Sequence, residues 1–195
     1  MSTKEEILSR YRQNMKIQGT YDMPDVDAIK GVVYPDPVAQ FIKATEASGG
    51  RVARLGDGED INGLIKSLYP EARVIAGNLP EVTVAQLNPD TVPDAQALDG
   101  VDVGVVRGSM GVAENGCVWI EQTMKERAVC FMSEYLVILL DSNAIVNNMH
   151  EAYRRVSFND YGYGTFISGP SKTADIAQAL VMGAQAARGV TVVLV

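Results

Sequence analysis

Apolar positions along this chain repeat with two periods. Ile7, Leu8, Tyr11 and Met15 recur every three or four residues among charged neighbours, the spacing of one helix face. It predicts an amphipathic helix over residues 2–17. Ser2 or Thr3 caps it, Glu5 and Glu6 are placed for a capping box, and Gly19 ends it. A proline-bearing arm follows. Asp36-Pro37 then starts a second helix, Asp as N-cap and Pro in the first turn, which stops at Gly49-Gly50. Beyond it the pattern predicts a strand at 51–55, a helix at 60–68 stopped by Pro70, and a strand at 73–76. A loop-rich stretch to Leu98 carries one short strand near 82–84.

The second half reads mainly with the period of strands. Residues 102–106 are a predicted strand, and 107–111 a turn or the opening of a short helix. Ala113-Glu114-Asn115-Gly116 is a tight turn, because Asn-Gly tolerates positive φ, and 117–120 is a strand. The apolar run Tyr135–Leu140 predicts a strand buried on both faces. Asp141 or Ser142 is placed to cap a helix reaching about Arg155. The final stretch is TFISGPSKTADIAQALVMGAQAARGVTVVLV. It reads as strand (165–167), turn (168–171), helix (about 172–187) and, after Gly189, a closing strand, together a βαβ unit.

Alternating strands and helices predict a three-layer α/β domain with a largely parallel sheet over residues 36–195. A helix and arm over 1–35 precede it, the helix packing on the domain or on another subunit, a homo-oligomer among the arrangements. Ligands of such sheets collect at the carboxyl ends of strands. The turns at 108–116 and 168–172, each after a predicted strand, are therefore expected to line one crevice.

Composition narrows the function. With 195 residues, 47% of them hydrophobic, the chain buries a core without disulfides or metal. A net charge of −7 argues against nucleic acid as a partner, which needs a basic footprint. No apolar run reaches the roughly 18 to 20 residues of a membrane span. The start, MSTKEEILSRYRQNMK, has no signal-like apolar stretch, so the expected location is the cytoplasm, away from membranes. Cys117 and Cys130 form no CxxC pair, and His150 is the one histidine. That is too little for an iron–sulfur cluster or a four-ligand zinc site, so no metal site is predicted. The cysteines read as core thiols, His150 as solvated or at an interface, and Trp119 as core.

Ser168, Gly169, Ser171, Lys172 and Thr173 have the chemistry of an anion site: hydroxyls, a cation and backbone N–H groups at a predicted helix entrance. The same residues describe a well-capped helix whose first-turn Asp175 complements the macrodipole. Spacing alone supports both readings equally. Arg107 has the planar fork that suits a carboxylate, or is a surface charge.

Three blocks carry a family resemblance: VVRGSMGVAENGCVWIEQ (105–122), the stretch 127–145, and SGPSKTADI within 167–195. The chain resembles the LUD-domain family, of the lactate-utilisation protein C type. The resemblance implies a fold like that of the NagB/RpiA/CoA-transferase superfamily. It also implies a bacterial role, with two partner proteins that hold the iron–sulfur clusters, in oxidation of L-lactate to pyruvate. It favours a ligand site for a small anion or a nucleotide-like cofactor, drawn from Arg107, Gly108, Ser109, Asn115, Ser168, Gly169, Ser171, Lys172, Thr173 and Asp175. Ala113-Glu114-Asn115-Gly116 is similar to the Ser-Glu-Asn-Gly turn of family I CoA-transferases, whose glutamate is a nucleophile. That makes Glu114 a candidate catalytic residue, against the plainer reading of a turn glutamate. Two departures stand out. Gln185-Ala186-Ala187 occupies the place of a common His-Gly-Pro, and Phe131-Met132 with Tyr135 that of Leu-Pro and a histidine. Three roles follow: an accessory subunit of a lactate-oxidising system, a free-standing CoA-transferase-like enzyme using Glu114, and a non-catalytic assembly or regulatory module.

Overall fold

The computed structural model describes residues 3–15, 22–25, 28–174 and 179–195. The chain divides into two units, Met1–Lys30 and Gly31–Val195. The first holds helix α1 (Thr3–Asn14), with no buried residue and a Glu6–Arg10 ion pair at 3.0 Å. The predicted stop at Gly19 lies outside the described residues.

In the second unit, α2 (Pro37–Ala47) begins as read, the Asp36 carboxylate accepting the Ala39 amide at 2.9 Å. Next come β1 (Arg51–Arg54), α3 (Ile61–Leu68, capped by Asp60), β2 (Ile75–Gly77) and β3 (Val103–Gly108). Then β4 (Met110–Val112), β5 (Cys117–Glu121), α4 (Val129–Met132), β6 (Tyr135–Leu140), β7 (Ile145–Val146) and α5 (Met149–Arg155) follow. The chain ends with β8 (Gly164–Ile167), β9 (Lys172–Thr173), β10 (Val181–Met182) and β11 (Gly189–Leu194).

Five strands form a parallel sheet in the order β1-β11-β6-β3-β2. Alternation along each strand divides the core between its faces. Leu136, Ile138 and Leu140 of β6 look one way, onto Phe41 of α2, Val129 of α4, and Val118 and Ile120 of β5. Val137 and Leu139 look the other way, onto Ile61 and Ile65 of α3 and Val82 of the loop beyond it. A smaller sheet, β7-β4-β5-β8, lies against the first face. Its outer side buries Met110, Val112, Cys117 and Trp119 with Ala152 of α5. The expected layered α/β architecture with a largely parallel sheet is therefore present.

Five expectations are corrected. No helix spans 172–187: β9 and β10 pair antiparallel, and residues 183–186 are bends. The Ala/Gln-rich run suits a helix by propensity, but a helix of this length needs an apolar stripe to bury. Leu180 and Met182 instead stand 65% and 43% exposed. Nor is the closing stretch a βαβ unit, since β8 and β11 belong to different sheets. The predicted 141–155 helix is broken, because Ile145-Val146 pair with Gly111-Val112 as β7 and α5 restarts from Asn148, whose side chain accepts the Glu151 amide. Residues 110–111 are strand and not turn, held by β5. Finally, 82–84 is no strand; the outer contact of β2 comes from Leu87, bridged to Ala76.

Candidate functional site

Two turns converge on the carboxyl end of α2. The 113–116 hairpin turn, with Gly116 at φ +68°, and the 168–171 turn, with Gly169 at φ +64°, both press on this helix end. A side chain on Gly116 would strike the backbone at Ala44–Thr45, and one on Gly169 would strike Ser48. Only glycine meets both demands, the conformation and the close approach. Hydrogen bonds fix the junction. The Thr45 hydroxyl donates to the Gly116 carbonyl at 3.3 Å, and the Ser168 hydroxyl to the Asn115 carbonyl at 2.9 Å. The Lys172 ammonium donates to the Ser48 carbonyl, a cation at the negative end of a helix.

The predicted crevice forms only in part. Asn115 and Ser168 meet, while Arg107, Gly108 and Ser109 sit at the other end of strand β4. Arg107 pairs with Glu81, the Ser109 hydroxyl donates to the Trp119 carbonyl, and Gly108 is buried against Val118 and Ile138. The helix-entrance form of the anion site is also corrected, because Lys172 and Thr173 lie in a strand and Thr173 is buried. Asp175 lies outside the described residues.

What the second turn lines instead is a cavity of about 410 Å³. Residues 165–172 form one wall and Gln185, Ala186 and Ala187 another, over Cys130, Phe131 and Leu136. Backbone bonds tie the walls: Ser171 N–H to the Ala187 carbonyl at 2.9 Å and Gly183 N–H to the Ser171 carbonyl at 3.0 Å. Gln185-Ala186-Ala187 thus faces the Ser168–Lys172 loop. Sequence reasoning did not include Phe131 and Gln185 among the site residues, although both fall where the chain departs from the family pattern. Burial pushes the Cys130 thiol up to about 12, and that of Cys117 likewise, so neither is a thiolate near neutrality.

Glu114 has a structural partner. Its carboxylate accepts the amide of Met149, the first residue of α5, at 2.9 Å, and its own amide donates to the Asn147 carbonyl at 3.0 Å. His150 is exposed on the same helix. Among the described residues no three His, Cys, Asp or Glu side chains gather to hold a metal ion, and no helix is long and apolar enough to cross a membrane.

The family model of the LUD domain matches residues 86–195. Lactate utilization protein C of Shouchella clausii (strain KSM-K16) is 30% identical over 103 residues, which are 49% of this chain and 44% of that protein. The chain therefore matches less than half of that relative's length. Among solved structures, a DUF162 family protein from Deinococcus radiodurans aligns with a TM-score of 0.62 at 14% identity, over 84% of this chain and 99% of that one. At that identity the likeness speaks for the fold.

Proposed function

The chain belongs to the LUD domain family, and on that footing we propose that it serves lactate utilisation as an accessory subunit. In this reading it holds a small anionic ligand in the cavity beneath Ser168–Lys172. Redox chemistry is left to iron–sulfur partner proteins. The name of the Shouchella relative supports the pathway. The observation that carries the site is that the Ser168–Lys172 loop and the Gln185–Ala187 segment line one cavity. Lys172, whose ammonium also donates to the Ser48 carbonyl, is the cation of its wall, and the apolar floor of Phe131 and Leu136 suits the carbon skeleton of the ligand. A volume of about 410 Å³ exceeds what lactate fills and falls in the range of ordinary small-molecule sites, so a nucleotide-like cofactor also fits the reading.

A thermal-shift series with lactate, pyruvate, phosphate, CoA and nucleotides tests it, with Lys172→Ala alongside. Ligand at a hundredfold excess over Kd adds about 2.7 kcal/mol of stability. A shift present in the parent chain and lost in Lys172→Ala supports the site and names the ligand class. No shift with any anion turns the reading toward assembly or regulation. Acyl transfer through Glu114 is the rival. It requires the carboxylate as nucleophile, whereas the same group here holds the entrance of α5. Glu114→Gln keeps an acceptor for Met149 and removes the nucleophile, so a CoA-dependent activity abolished by that change would favour the rival.

A further inference from the structure

A second cavity, of about 360 Å³, opens on the α3 side of the parallel sheet at the amino ends of its strands. It shares no lining residue with the cavity beneath Ser168–Lys172. Tyr135, which opens β6, and Tyr69, which follows α3, form an aromatic wall with ring centroids 5.0 Å apart at 45°. Both rings are held. The Tyr69 hydroxyl bonds the Thr191 hydroxyl at 2.7 Å, and a Cβ on Gly189 would lie 2.7 Å from the Tyr135 ring. The wall depends on that missing side chain.

The charges around this wall fall into two groups. Arg188 donates to the Tyr135 hydroxyl at 3.0 Å, lies over its ring and pairs with Glu134 at 2.8 Å. Asp102 accepts the Arg73 and Val74 amides at 2.7 and 2.8 Å. These three charges are engaged within the chain. The side chains of Arg51 and Glu71 are not: among the described residues neither makes a hydrogen bond or an ion pair, and the Arg51 charge acts only at a distance, on Tyr69. Register places Arg51 beside Thr191, the partner of Tyr69. One cavity thus presents a held aromatic wall, one available cation and one available anion of opposite sign.

We infer that this cavity binds a small aromatic zwitterion of the α-amino-acid class. Its ring packs on Tyr69 and Tyr135, its carboxylate meets Arg51 and its ammonium meets Glu71. Aromatic rings favour such tilted or offset neighbours, and the arginine fork matches a carboxylate. The site is independent of the lactate-utilisation reading, and Lys172→Ala separates the two.

Calorimetric titration of the full chain with L-phenylalanine, 3-phenylpropionate and phenethylamine tests the inference. Phenylalanine is expected to bind at millimolar concentration or below, and each analogue, lacking one charge, about tenfold more weakly. Arg51→Gln should weaken phenylalanine and phenylpropionate about tenfold and spare phenethylamine, and Glu71→Gln should do the converse. Lys172→Ala should change none of the three. Both charged residues are exposed, so the variants retain the fold. Absence of phenylalanine binding, equal binding of all three probes, or binding indifferent to both charge variants overturns the assignment.

Discussion

Cys117 faces the Met149 sulfur at 3.7 Å on the outer side of β5, and Cys130 is buried in α4. Burial raises both thiols to about 12. A raised folded value favours the protonated, folded form. The contribution is complete below the ordinary thiol value of about 8.5 and is lost as pH rises toward about 12. A thiol-reactive dye at pH 8 should therefore label neither cysteine in the native protein and both in denaturant. Prompt labelling of the native chain would contradict this burial. Both residues were legible as core thiols because each lies in or beside an apolar run. The partners of Ser168 and Lys172 were not. Their bonds reach across 53 and 124 residues, and no local pattern signals a contact at that range.

At the scale of elements, Asp102 joins two strands. Its carboxylate accepts the amides of Val74 and Arg73, which lead into β2, while β3 begins at the next residue. Those bonds, the Val74 one first, hold its pKa below the ordinary carboxylate value. A lowered folded value means stability that is present above the ordinary value and lost as pH falls through the lower, folded one. Asp102→Asn should cost about 1 kcal/mol at pH 7 and flatten the loss of stability on acidification. Urea unfolding at pH 7 and pH 3 measures both, and an unchanged acid loss would sink the assignment. Elements with local signals were read correctly: the Asp36 cap, the 60–68 helix, the Asn115-Gly116 turn and the apolar strand 135–140. The 172–187 segment was misread, because its alanines favour a helix while its exposed Leu180 and Met182 give that helix nothing to pack against. The run after Asp141 was misread because Ile145-Val146 had a better partner in β4 than in a helix.

At the scale of the molecule, β6 separates two cores and hydrogen-bonds on both edges, to β11 and β3. Ile138→Ala, at a position with no exposure in the middle of that strand, should cost about 2–5 kcal/mol. Leu8→Ala on the unburied face of α1 should stay within about 0.5 kcal/mol. Chemical denaturation of both variants checks the contrast, and comparable losses would show that the core does not lie where β6 places it.

By itself the sequence determined the fold class, the main strands and the starts of α2 and α3. These follow from periods and caps that act within a few residues. The tertiary structure alone decided which of the candidate residues meet. The order β1-β11-β6-β3-β2 sets Arg51, Gly189 and Tyr135 at one end of neighbouring strands, and β5 carries Asn115 to Ser168 while leaving Arg107 with Glu81. Such adjacency depends on burying two sheet faces at once, a property of the assembled sheet that no single stretch of chain contains.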